Sequence, residues 1–164
     1  TDFGTTEQQT NFFFTGLMFI GGASGSVAGG IKINTFAVVV IAVLSTIRGR
    51  SHVRAFGREL PQAQIQRAMV IATVAVAFVF LVATGLTFSE EGFDFIDLLF
   101  ESISSFGTVG LSTGLTPDLS SWGHVILMVS MFVGRIGPLT LGLAMAQGTD
   151  SDPYRFAEER VTIG

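Results

Sequence analysis

Cysteine is absent from the 164 residues, so disulfide scaffolds, thiolate metal sites and cysteine nucleophiles are excluded. Charge is scarce: Asp, Glu, Lys and Arg make up 13% of the chain, about half the usual share in soluble domains. The formal net charge of −4, with the arginines mostly gathered in one loop, excludes a nucleic-acid binder. A signal-peptide pattern is missing too. Thr1 to Thr10 is polar and no initiating Met is present, which reads as the interior of a longer polypeptide. Tyr and Trp occur once each, against 16 Phe and 20 Gly, and the mean hydropathy is +0.58. An apolar surface relieved by many small residues suits close helix packing and non-helical backbone within a bilayer.

The patterning predicts an all-α polytopic membrane protein. Phe12 to Ile47 is apolar over about 36 residues, where one straight crossing needs roughly 20. Its middle holds Gly21, Gly22, Ala23, Ser24, Gly25, Ser26, Val27, Ala28, Gly29 and Gly30. Each glycine costs an intact helix about 1 kcal/mol relative to alanine, which favours a helix broken in mid-membrane. The plainer alternative is a packing face, since Gly21, Gly25 and Gly29 form two overlapping G-x-x-x-G repeats. A broken loop at membrane depth must line something, because only protein or a water-filled cavity can satisfy its N–H and C=O groups.

Residues 48–67 carry Arg48, Arg50, Arg54, Arg58 and Arg67 against the single acid Glu59, the mark of a cytoplasmic loop. Ala68 to Phe88 then reads as a helix leaving the cytoplasm, with its far end external. Phe93 to Phe106 has helical spacing at Phe95, Leu98, Leu99 and Ile103 but is too short and acidic to span, which predicts a re-entrant helix. Gly107 to Gly114 breaks it, and Val125 to Ala146 is the last expected crossing, bent at Gly137-Pro138. The tail from residue 149 to 164 is polar and returns to the cytoplasm by topology counting.

A re-entrant helix aims its C-terminus, carrying roughly half a negative charge, at the membrane centre, where a cation is favoured. Thr108, Val109, Gly110 and Leu111 follow as a short strand-like piece whose carbonyls can replace the hydration shell of a potassium ion, with K+ at Thr108, Val109 and Gly110. The similarity to the potassium-channel filter TVGYG is visible, and the alternative is an ordinary turn between helices. Glu90, Glu91, Asp94, Asp97 and Glu101 are expected to make the outer approach electronegative. Arg135 falls about ten residues into the last expected helix, some 15 Å deep, so it should face the protein interior or the pore. An ion pair is the bland role; a fixed charge against the glycine loop's carbonyls is the one expected. Lys32 either acts the same way or snorkels.

Three blocks carry a family resemblance. The stretch Ser104-Ser105-Phe106-Gly107-Thr108-Val109-Gly110-Leu111-Ser112-Thr113-Gly114 resembles the fourth pore loop of Trk and Ktr potassium transporters. Met131-Phe132-Val133-Gly134-Arg135-Ile136-Gly137-Pro138-Leu139 is similar to that family's last helix, and Phe19 to Lys32 looks like its intramembrane loop. The ending Tyr154 to Gly164 resembles the Ktr C-terminus and reads as a true end. The resemblance, nearest to the Ktr membrane subunit, implies helix–pore-loop–helix repeats of a Trk/Ktr/HKT-type pore: residues 1–47 as the second helix of the third repeat, 68–148 as the fourth, and 107–114 as its filter. It further implies potassium uptake in the cell membrane, with sodium also a candidate ion, and Gly21, Gly22, Ala23, Ser24, Gly25, Ser26, Gly29, Gly30, Lys32 and Arg135 as the gate. Implied partners are the remaining repeats, a second copy in a homodimer, the lipid bilayer and a cytoplasmic ring of regulatory subunits that alone bind nucleotide. The family pattern needs four filter segments and this chain holds one, so it is expected to need more than itself to form a pore.

Two other functions compete. One is a non-conducting assembly or scaffold subunit whose glycines only pack helices; the other is a pore-loop cation channel of different selectivity. Gly110-Leu111-Ser112-Thr113-Gly114 also matches the G-x-S-x-G nucleophile elbow, but that motif needs a strand before it and a helix after it. Gly25 to Lys32 is a near miss for a phosphate loop, because Ile31 intervenes before Lys32. No enzyme is expected.

Overall fold

The computed structural model describes residues 8–23, 25–49, 52–55 and 57–137. Helix α1 (Gln8–Phe19) ends at the glycine-rich stretch, and α2 (Ile33–Ile47) begins beyond it. A small antiparallel hairpin follows, β1 (Arg54–Ala55) against β2 (Arg58–Glu59), paired Arg54 to Glu59 and Ala55 to Arg58. Next come α3 (Gln62–Ser89), α4 (Phe95–Gly107), one 3-10 turn (Thr116–Asp118) and α5 (Ser121–Ile136).

At 28 residues α3 is about 42 Å long, and its best window has a mean hydropathy of 2.6. Among the described residues it is the one helix long and apolar enough to cross a membrane. It starts at Gln62, six residues before the apolar run, because Pro61 stands at its N-terminal boundary and Gln62 to Arg67 are good helix formers. Helix α5 likewise starts early, at Ser121. Ser120 accepts a 3.1 Å hydrogen bond from the Gly123 N–H, an N-cap. It ends at Ile136, where Gly137 turns to φ 88, the position at which the sequence places a bend in the last crossing. Residues 138–146, Pro138 included, lie outside the described residues, as does the tail 149–164.

Helix α4 is the centre of the packing. It lies against α1, α3 and α5, while α2 packs on α3. From Phe100 to Gly107 every residue is buried, which is unusual for a helix that is not apolar throughout. One apolar cluster joins Met18, Ile31, Ala75, Val79, Phe100, Ile103 and Phe106. A second joins Val82, Leu86, Leu98, Leu115, Leu119 and Leu127. The outward faces of α3 and α5 remain apolar, with Phe80, Leu81, Phe88, Trp122 and Phe132 exposed.

Candidate functional site

The site is built around the C-terminus of α4. The Thr108 N–H reaches the Ser105 carbonyl at 3.1 Å and the Val109 N–H reaches Ser104 at 3.0 Å, the paired bonds of a Schellman ending. Glycine usually occupies the left-handed position of that motif. Here it is Thr108, at φ 51 and ψ 38, which costs a β-branched residue roughly 1–2 kcal/mol. Its hydroxyl accounts for the choice: Thr108 Oγ1 accepts a 2.8 Å hydrogen bond from the N–H of Gly29, in the loop between α1 and α2.

Three glycines let three backbones converge on this helix end. A Cβ on Gly29 would stand 2.8 Å from the Phe106 carbonyl oxygen, and one on Gly107 would stand 2.8 Å from that of Met18. A Cβ on Gly134 would run into the Phe106 carbonyl itself. Phe106 is fully buried there, its ring 6.2 Å from Phe19 and 5.8 Å from Phe78. Glycine-rich loop, α4 terminus and α5 therefore touch main chain to main chain.

Beyond Thr108 the chain is open. Val109 and Gly110 are exposed and Gly110 sits at φ 81, a region L side chains rarely enter. Among the described residues none of the carbonyl oxygens of Thr108, Val109 and Gly110 accepts a hydrogen bond. Leu111 differs: its carbonyl accepts the Ser104 hydroxyl at 2.5 Å, which turns it towards α4 and away from the row of free carbonyls.

The loop is pinched at its base, where the Gly21 N–H donates to Ile31 at 2.6 Å and Ile20 bridges Ile31. Gly21, Gly25 and Gly29 lie outside any helix, so the G-x-x-x-G packing face does not form. Ala23, Gly25 and Ser26 are exposed on the loop, Gly22 is half-buried, Gly30 is buried, and Ser24 lies outside the described residues. Two cations hold three successive loop carbonyls. Lys32 Nζ donates to Ser26 at 3.0 Å and to Ala28, and Arg135 Nη1 donates to Val27. Arg135 stands in the last turn of α5, where a positive charge also complements the helix dipole. Lys32 folds back onto the loop.

Two of the five acids assigned to an electronegative approach point inward. Glu101 is 4% exposed; it accepts the Thr113 N–H and the Thr116 hydroxyl, each at 3.1 Å, and the Ser112 hydroxyl. Glu90 is 7% exposed and accepts from Ser120, N–H at 2.9 Å and hydroxyl at 2.5 Å, and from the Ser89 hydroxyl at 3.1 Å. Burial pushes the Glu90 carboxyl up, but these bonds, led by those from Ser120, outweigh it and hold it below its ordinary value of 4.5. Glu91, Asp94 and Phe95 are exposed at the same end. Helix α4, not a strand, precedes the G-x-S-x-G match.

The family model for TrkH, a cation transport protein, matches residues 1–155. The chain belongs to this family. Among its relatives, Ktr system potassium uptake protein D of Bacillus subtilis (strain 168) is 40% identical over 163 residues, covering 99% of this chain and 36% of the relative. Ktr system potassium uptake protein B of Vibrio alginolyticus is 38% identical over 148 residues, 90% of this chain and 32% of that protein. The potassium/sodium uptake protein NtpJ of Enterococcus hirae is 35% identical over 155 residues, 90% of this chain and 34% of its own length. The chain thus spans about a third of the length of the curated relatives it matches. TrkH membership makes the chain part of a membrane transport protein, and these relatives are transport proteins rather than enzymes.

Proposed function

We propose that the chain supplies one selectivity-filter segment and one gating loop to a potassium uptake pore in the cell membrane. The observation that carries this is the end of α4: a helix of 13 residues, about 20 Å, buried from Phe100 onward and finishing at the strained left-handed Thr108, whose carbonyl and those of Val109 and Gly110 accept no hydrogen bond among the described residues. Such a helix is too short for a hydrocarbon core of roughly 30 Å and fits a re-entrant pore helix. Its dipole and the carbonyls of Thr108, Val109 and Gly110 favour a desolvated monovalent cation, potassium as cargo. In this reading the filter covers residues 107–114, the fourth of four, and three further segments from outside the chain complete the ring.

The gate is the loop around Gly21 to Gly30. Its main chain rests on the same helix end, through Gly29 and Thr108, and Lys32 and Arg135 put two positive charges beside the path, opposing cation passage while the loop is in place. The arginines of 48–67 put that loop in the cytoplasm, with the acidic end of α3 outside. By likeness to the Ktr proteins, the partners are the rest of the same subunit, a second copy, and a cytoplasmic nucleotide-binding ring. The name of the Enterococcus hirae relative keeps sodium beside potassium as a second ion.

The test is potassium uptake by the full-length subunit in a potassium-uptake-deficient bacterium, wild type against Gly110→Ser. Serine at φ 81 strains the backbone by roughly 1–2 kcal/mol and shifts the carbonyls on either side. Growth at low potassium is expected from wild type and is lost, or moved to higher potassium with weaker discrimination against sodium, in the mutant at equal membrane expression. Identical curves put Gly110 outside the conduction path and leave the scaffold function standing.

A further inference from the structure

We infer that Glu101 is the positioning residue of the filter: its buried carboxylate holds the stretch after Gly110 in place and so sets ion selectivity. The inference rests on the filter reading of 107–114. Glu101 lies nearly two turns before the end of α4, 4% exposed, with buried neighbours on both sides. A carboxylate survives in such a place only when donors saturate it. Among the described residues no cation pairs with it. The donors all come instead from the returning chain: Thr113 N–H and the Ser112 hydroxyl on one oxygen, the Thr116 hydroxyl on the other.

Those donors are linked among themselves. Ser112 Oγ lies 3.0 Å from Thr116 Oγ1 and accepts the Gly114 N–H at 2.9 Å. Residues 112 to 116 are thus wrapped on one carboxylate. Just before them Leu111 is tied to Ser104 at 2.5 Å. The exposed carbonyl row is therefore suspended between two anchors on the same helix, the Schellman ending at Thr108 and the Glu101 clamp. Selectivity among monovalent cations depends on the number and field of the carbonyls around the ion, so moving one anchor moves the carbonyls. An attractor of cations from solution would have to be exposed; this carboxylate is turned to its own loop.

Three variants of the full-length subunit separate the possibilities, read as the ratio of potassium to sodium uptake at matched membrane abundance. Glu101→Ala removes every acceptor and is expected to lower the ratio on the order of tenfold. Thr116→Val removes one donor and keeps the side-chain shape, lowering it roughly threefold. Glu101→Gln retains an acceptor for the Thr113 N–H and keeps most of the ratio. A residue that only supports folding scales all ions alike and leaves the ratio unmoved. A residue that only attracts charge makes Glu101→Gln and Glu101→Ala equivalent, raising KM for every cation together. Either pattern overturns the inference. Should Glu101→Ala not reach the membrane, Thr116→Val and Ser112→Ala decide, and unchanged ratios in both count against the clamp. Gly110→Ser runs alongside: if it collapses the ratio while the clamp variants keep it, Glu101 alone is misassigned; if it too is neutral, the filter reading fails and the clamp with it.

Discussion

Glu90 closes α3 and caps α5 at once, since Ser120, whose hydroxyl accepts from Gly123, gives its own N–H and O–H to that carboxylate. Because these bonds hold its pKa below 4.5, the stability it contributes is fully present above that value. It is lost as pH falls through the lower folded value, where the carboxylate takes up a proton. Thermal unfolding of the detergent-solubilised subunit should therefore shift downward below about pH 4.5 in wild type, with that part of the shift missing in Glu90→Gln. An identical acid shift in both proteins removes Glu90 from the account. Neither this arrangement nor that of Glu101 is plain in the sequence, which offers both only as acids of an electronegative outer approach. What decides it is the reversal after Gly107, which lays Ser112 to Thr116 back along α4, and the meeting of Ser120 with the end of α3. The signal was there in weak form: an acid within Leu98 to Phe106, followed 11 to 15 residues later by three hydroxyl-bearing residues.

The loop between α1 and α2 is where element-scale reasoning from composition and the geometry agree, because glycine density acts through local backbone cost. Its stems are joined at Gly21 and Ile31, its far carbonyls are held by side chains, and its one hydrogen bond to the end of α4 among the described residues runs from the Gly29 N–H to Thr108 Oγ1. Such a loop can move without unfolding a helix. Deleting Ala23 to Ala28 in the full-length subunit should raise potassium flux. Arg135→Gln, which removes the charge held against Val27, should raise it less, because Lys32 remains. Lower flux from correctly inserted deletion protein rules out a gate. Other elements were less legible. The hairpin at Arg54 to Glu59, where His52 Nδ1 also lies 2.9 Å from Glu59, involves too few residues to leave a periodic signal. At Gly137 the sequence predicts a bend and α5 ends there, since glycine next to proline permits either outcome.

At the scale of the molecule, the apolar faces of α3 and α5 and the open carbonyl row make sense only with more protein and lipid around them. Among the described residues Phe80, Leu81 and Phe132 stay exposed, and under the proposed function one filter segment cannot surround an ion. Orientation then fixes which way the proposed filter and gate face. Five arginines near the start of α3 against the acidic Glu90-Glu91 end argue that the filter opens outward and the loop lies on the cytoplasmic side. The absence of cysteine from this chain allows a clean test in a cysteine-free full-length subunit. His52→Cys and Glu91→Cys place a thiol at exposed positions beyond opposite ends of α3. A membrane-impermeant maleimide should label Glu91→Cys in intact cells and His52→Cys only after permeabilisation. The opposite pattern would invert the pore, turning the row at Thr108 to Gly110 towards the cytoplasm, and potassium would then meet the glycine loop before the filter on its way in.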